Sequence, residues 1–141
     1  MSQANIDLIQ SFEDKFVEGD MDYVLSILTD DVTVHEASNV PYPGDHRGKD
    51  AFLELAAAFG SVWDIQAPLD LEILPAGDDK VLALVGIDAI VKSTGRPIYL
   101  RVAEIYTIRA GKIADLVVHY WDTHEMFTAT GGITVLEGEP T

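Results

Sequence analysis

Residues 81–121 read VLALVGIDAIVK (81–92), STGRP (93–97), IYLRVAEIYTIR (98–109), AG (110–111) and KIADLVVHYW (112–121). Three apolar runs of strand length are separated by two turns rich in Gly, Pro and small residues. The first run is apolar on both faces, as a central strand requires. The second alternates, so that Leu100, Val102, Glu104, Tyr106 and Ile108 share one face, with Glu104 its sole charge. Ala110-Gly111 makes a tight hairpin into the third run, Ile113 to Trp121. Short turns can only join antiparallel neighbours. An antiparallel meander is therefore the frame on which the rest must pack.

Upstream, Ile65, Ala67, Leu69, Leu71 and Ile73 alternate with mostly polar partners, and Pro75-Ala-Gly-Asp-Asp79 turns that fourth strand into the meander. Before it, the period changes to that of a helix. Ile6, Ile9, Phe12 and Phe16 predict a helix over residues 5–18, capped by Asn5 and stopped by Gly19. Asp20 caps a second helix carrying Met21, Val24, Leu25 and Leu28, which ends at Asp30-Asp31. Phe52, Leu55, Ala56 and Phe59 predict a third over Lys49–Phe59. Between them Val32–Ala37 has strand composition, and 39–48, with two Pro and two Gly, reads as a loop. Residues 126–141, broken by Gly131-Gly132, read as a loosely held arm. The order is α+β, with helices covering one face of a twisted sheet and leaving a dry conical cavity beside the core.

The chain has 141 residues, with 9 Lys+Arg against 24 Asp+Glu and a net charge of −15. This length predicts a single domain over 1–141, with its core in about 5–125. The acidic balance argues against nucleic acid and anionic membranes, since each phosphate contact needs a cation. With no cysteine there is no disulfide framework and no thiolate nucleophile or ligand. Met-Ser-Gln-Ala-Asn lacks the basic and apolar regions of a signal peptide, and no apolar run is long enough to span a bilayer. A soluble, cytoplasmic protein is expected.

Five strings, in this order, resemble the NTF2-like superfamily, nearest its SnoaL-like polyketide cyclases and ketosteroid isomerases. They are Glu18-Gly-Asp20, Leu28-Thr-Asp-Asp-Val-Thr-Val34, Arg47-Gly-Lys-Asp50, Gly111-Lys-Ile113 and Tyr120-Trp-Asp122. The resemblance spans about residues 5–125. It implies a cystatin-like cone, three N-terminal helices on a strongly curved, mixed but mostly antiparallel sheet. It also implies a carboxylate general base at the end of the first strand, where Glu36 aligns. A protonated carboxylic acid that donates to an enolate oxygen aligns with Glu104. The cyclases' acid/base aspartate resembles Asp122, while the isomerases' tyrosine donor aligns with Phe12, which has no hydroxyl. The fold hosts isomerases, cyclases, dehydratases, epoxide hydrolases and non-catalytic modules, so it does not name the reaction.

Read without the family, Val32, Val34 and Glu36 share a strand face, so both glutamates stand on apolar faces. Burial there raises a carboxyl pKa toward neutrality, where acid–base work is most effective. A salt bridge from Glu104 to Arg101 or Arg109 is the plain alternative, against strand parity. Asp122 ends the row Leu116, Val118 and Tyr120, as site acid or as surface cap, and Asp88 either lines the pocket or pairs across the sheet. His35 has outer-face parity, and no histidine set has metal-ligand spacing. Tyr42, His46 and Arg47 lie in the loop expected over the cavity mouth. The expected ligand contacts are Phe12, Phe16, Tyr42, His46, Phe59, Trp63, Val102, Tyr106 and Tyr120. No phosphate loop, dinucleotide fingerprint or nucleophile elbow occurs, and no metal or other cofactor is expected. The sequence thus predicts cofactor-independent proton transfer on a small apolar carbonyl compound, or a non-catalytic binding module in the same cavity. Tyr99, Ala103, Ile105 and Val117 on the outer face predict a homodimer through the open sheet.

Overall fold

In a computed structural model described over residues 2–140, the meander forms the middle of one six-stranded sheet; Met1 and Thr141 lie outside that description. The strands are β1 (Leu28–Glu36), β2 (Gly44–Arg47), β3 (Trp63–Pro75), β4 (Lys80–Val91), β5 (Pro97–Arg109) and β6 (Lys112–Tyr120). Their order is β2-β1-β6-β5-β4-β3, antiparallel throughout except for the parallel β1–β6 pair. The helices are α1 (Ser2–Glu18), α2 (Met21–Ser26), α3 (Lys49–Val62) and α4 (Thr123–Thr130). Helix α1 packs across β3 and β4, and α3 across β1, β2 and β3. Between helices and sheet lies the core, where Ile9 and Phe12 of α1 and Phe52 and Leu55 of α3 meet Val34, Val85, Leu116 and Val118. Each such side chain stabilises the fold by about 1.5–3 kcal/mol through removal from water. No helix among the described residues is long and apolar enough to cross a membrane.

The α+β architecture agrees with the periodicities, and several boundaries are corrected. Helix α2 ends at Ser26, because Leu28 already pairs with Ile113 and opens β1. Helix α3 runs one turn further than expected, to Val62. Asn5 is not a cap; it lies inside α1 and its side-chain amide donates to the carbonyl of Asp78 at 3.0 Å. The 39–48 segment contains strand β2, which pairs with the preceding strand β1 on one side and with remote Glu139 on the other, Asp45 and Glu139 exchanging backbone hydrogen bonds at 2.8 Å. The expected loose arm is largely tied down. Asp122 caps α4, Gly131 closes it in the left-handed conformation at φ 72°, and Met126, Ala129 and Thr130 are buried. Beyond α4, backbone amides of Val135 and Gly138 donate to Pro41 and Pro43.

On the outer face, Gly86 admits the ring of Tyr99, whose hydroxyl would meet an added Cβ at 1.9 Å; that hydroxyl donates to Asp70 at 2.7 Å. Tyr99 is 43% exposed, while Ala103, Ile105 and Val117 are half-buried. Asp88 is exposed on this side, paired in register with Tyr99.

His35 also faces outward, and it ties three strands together. Its Nδ1 lies 2.7 Å from Asp45 of β2 and its Nε2 2.8 Å from Asp115 of β6. Carboxylates only accept, so both contacts are hydrogen bonds when both ring nitrogens carry protons. Partial burial works against the charged ring, but Asp115 and Asp45 outweigh it and hold the His35 pKa above its usual 6.5. The stabilisation is therefore complete below pH 6.5 and is lost as pH rises through the native value. Urea titrations of wild type and His35→Gln are expected to differ by about 1 kcal/mol or less in mild acid and to converge in alkali. A constant difference across that range would refute the strut.

Candidate active site

Glu36 is the last residue of β1, and strand parity with Val32 and Val34 turns it to the inner face. It is 9% exposed, and its Oε1 has no hydrogen-bond partner among the described residues. Burial alone raises its pKa well above the usual 4.5, because nothing nearby compensates the lost hydration.

Glu104 comes to the same side from the middle of β5. Its Oε1 lies 3.0 Å from the Tyr106 hydroxyl, which also donates to Glu13 Oε1 of α1 at 2.6 Å. Burial first, then the charge of Glu13, push the Glu104 pKa well above the usual carboxylate range. Burial likewise keeps the Tyr106 hydroxyl protonated far beyond neutral pH, helped by the charges of Glu104 and Glu13.

A third set of polar groups stands beside these. Trp63 Nε1 donates to the Tyr42 hydroxyl at 2.8 Å, and that hydroxyl lies 2.8 Å from the hydroxyl of Tyr120. Tyr42 is fully buried, so its own proton is best placed on Tyr120. The Tyr120 proton is then free for the cavity. Burial, followed by the Glu36 charge, raises both phenols far above their usual pKa and keeps them as donors.

All three sets border one cavity of about 80 Å³, whose wall is otherwise hydrocarbon and aromatic, with Phe12, Phe16, Phe52 and Phe59 prominent. Its polar lining is Glu13, Glu36, Glu104 and Tyr120, and no cation among the described residues lines it. This volume exceeds the ~10–15 Å³ needed for one water. Such a site can take a proton from a weak carbon acid, hold developing negative charge on an oxygen, and keep bulk water from competing. No group of three or more His, Cys, Asp or Glu side chains among the described residues is placed to hold a metal ion.

Of the expected residues, Glu36, Glu104, Phe12, Phe16, Phe59 and Tyr120 line this cavity. Tyr42, Trp63 and Tyr106 stand behind the lining as buried hydrogen-bonding supports. Three positions are corrected. Asp122 is exposed, its carboxylate accepting from the Glu125 amide at 2.9 Å as the cap of α4, because the chain turns into a helix where the strand row ends. His46 is buried on β2, its Nε2 donating to the Tyr42 carbonyl at 2.9 Å, so it is a brace for Tyr42 and not a rim residue. Val102 is core and lies outside the lining.

Sequence reasoning missed Glu13. The signal was present: Glu13 is four residues after Ile9 and three before Phe16, a carboxyl on the edge of the apolar stripe of α1. It is 6% exposed.

In sequence, residues 9–116 match the SnoaL-like domain family. No curated protein matches the chain. Among solved structures, an NTF2-like protein from Burkholderia xenovorans LB400 is similar with a TM-score of 0.83 and 25% identity, covering 92% of this chain and 98% of that one. A candidate polyketide cyclase from Xanthomonas campestris pv. campestris has a TM-score of 0.78 at 21% identity over 92% and 98%. TerC, co-crystallised with polyporic acid, has a TM-score of 0.74 at 20% identity over 91% and 98%. The last two likenesses concern the fold alone.

Proposed function

The chain belongs to the SnoaL-like domain family, and from that premise we propose that it binds a small, largely apolar carbonyl compound and catalyses cofactor-independent proton transfer of isomerase, cyclase or dehydratase type. One observation carries this reading: Glu36 presents a buried carboxyl oxygen, unpartnered among the described residues, to a hydrocarbon-walled cavity. A chain does not ordinarily leave such a group unsatisfied, at a cost of about 1–3 kcal/mol, without a use for it. In its ionised form Glu36 removes a proton from the carbon beside the carbonyl. The electron pair moves onto the carbonyl oxygen, where neutral Glu104 and the Tyr120 hydroxyl donate to the developing charge. Protonated Glu36 returns the proton to the same or a neighbouring carbon; alternatively the enolate carbon attacks a second carbonyl of the same molecule, the π pair of that carbonyl moves onto its oxygen, and that oxygen takes the proton from Glu36 as the ring closes. Tyr120 fills the role of the donor that Phe12 cannot supply.

Solvent deuterium exchange tests the reading. A panel of ketones, enones, 1,3-dicarbonyl compounds and polyporic acid is incubated with protein in D2O and followed by NMR. Incorporation beside the carbonyl, above the buffer rate, is expected for at least one class. Ligands that raise Tm without any exchange would mark a binding module instead.

The proposal extends to a second copy of the chain on the open sheet face. Its support is the row of exposed or half-buried Tyr99, Leu84, Ala103, Ile105 and Val117. Sedimentation equilibrium is expected to give twice the 15.4 kDa chain mass, with Ile105→Lys shifting it to monomer. A wild-type monomer at all concentrations would reject the dimer.

A further inference from the structure

We propose, building on the reaction read above, that Glu13, Tyr106 and Glu104 form one acid unit holding a single carboxyl proton, with Glu13 as the positioning residue that keeps Glu104 protonated toward the cavity.

The argument is a proton count. The Tyr106 hydroxyl has one proton, yet it lies 2.6 Å from Glu13 Oε1 and 3.0 Å from Glu104 Oε1. A carboxylate oxygen only accepts. Both contacts are hydrogen bonds only if one carboxyl brings a proton of its own. The short bond on the Glu13 side falls in the range of O–H···O⁻ bonds, and the longer one does not. The charge therefore belongs on Glu13 and the carboxyl proton on Glu104: two protons and one negative charge over three groups.

The surroundings hold the unit in that state. Across the sheet, Glu104 is flanked in register by Ala83 of β4 and Val118 of β6, and α3 contributes Phe52 and Leu55. Among the described residues, the other ionisable groups facing the cavity are Glu36 of β1 and Tyr120 of β6, and no Lys, Arg or His lines it. Loss of the second proton would set two carboxylates against one phenol with no cation to offset them. The upward pKa shift of Glu104, from burial and then the Glu13 charge, agrees with this count. While the cavity holds no ligand, protonated Glu104 donates a hydrogen bond to the Tyr106 oxygen. With a carbonyl compound bound, rotation of the Glu104 carboxyl about its Cγ–Cδ bond turns the same O–H from Tyr106 to the oxyanion, and no covalent bond changes partners.

The full chain, labelled with ¹³C at glutamate Cδ, is titrated by NMR without substrate. In wild type the Glu104 signal is expected to remain that of the protonated carboxyl through neutral pH. In Glu13→Gln the Glu104 signal is expected to titrate alone, about one pH unit or more lower. The alkaline limb of the exchange profile should move down with it. A wild-type Glu104 signal already fully ionised below neutral pH would overturn the acid unit without recourse to any variant. So would an unshifted Glu104 in Glu13→Gln. The two readings fail separately. A protonated Glu104 with no ketone exchange keeps the acid unit and removes the reaction, whereas exchange with wild-type Glu104 ionised below neutral pH does the reverse.

Discussion

Glu36→Gln is expected to lower kcat/KM for solvent proton exchange into a bound ketone by about 10²–10⁴-fold, the usual weight of a positioned general base. That corresponds to roughly 3–5 kcal/mol of transition-state stabilisation. Glutamine keeps the shape and loses the basic oxygen, so substrate binding should change little and KM should hold while kcat falls. Stability is expected to move the other way. Burial raises the Glu36 pKa in the folded chain, whereas the unfolded chain releases that proton near the usual 4.5. The native contribution is therefore fullest below pH 4.5 and is lost as pH climbs to the native value. An amide does not titrate, so the variant should match wild type in acid and exceed it at neutral pH. This opposition of activity and stability belongs to a working site and not to a packing residue. If Glu36→Gln lost activity and thermal stability together, unfolding would explain the activity and Glu36 would leave the mechanism.

Trp63→Ala is expected to cost about 3–5 kcal/mol of unfolding free energy, against a typical total of 5–15. Trp63 is 1% exposed at the junction where α3 passes directly into β3, and its indole donates to Tyr42 at 2.8 Å. Alanine leaves a void there and frees the Tyr42 hydroxyl from its fixed donor. Trp63→Phe keeps most of the volume and loses the N–H, so its cost should be smaller, about 1–2 kcal/mol. Urea unfolding with an unchanged m-value measures both. A Trp63→Ala cost below about 1 kcal/mol would place the ring in ligand space and not in the core.

The two carboxyls of the inner face were readable because a strand has a period of two. Once Val34 of β1 and Tyr106 of β5 are inside, Glu36 and Glu104 follow by parity along their own strands. The α4 cap was also written locally, as Asp122 three residues before Glu125 with Gly131 beyond, but the preceding apolar row masked it. Parity cannot say how deep a side chain lies. Tyr106 shares its face with Glu104 and still stands behind the lining, because α1 lays Glu13 and Phe12 over its ring. Strand β2 was not readable at all: four residues with Gly44 at the start have no period of their own and are held by β1 and Glu139.

The sequence by itself determined helices α1 to α3, the meander and the inner-face placement of Glu36 and Glu104, because each depends on repeats within one element. Only the tertiary structure decided which groups share protons and which merely fill space. Those pairings join residues as far apart in the chain as Glu13 and Tyr106 or Tyr42 and Tyr120. A hydrogen bond between them exists only after the sheet has brought the elements to within 3 Å, and no local pattern records that approach.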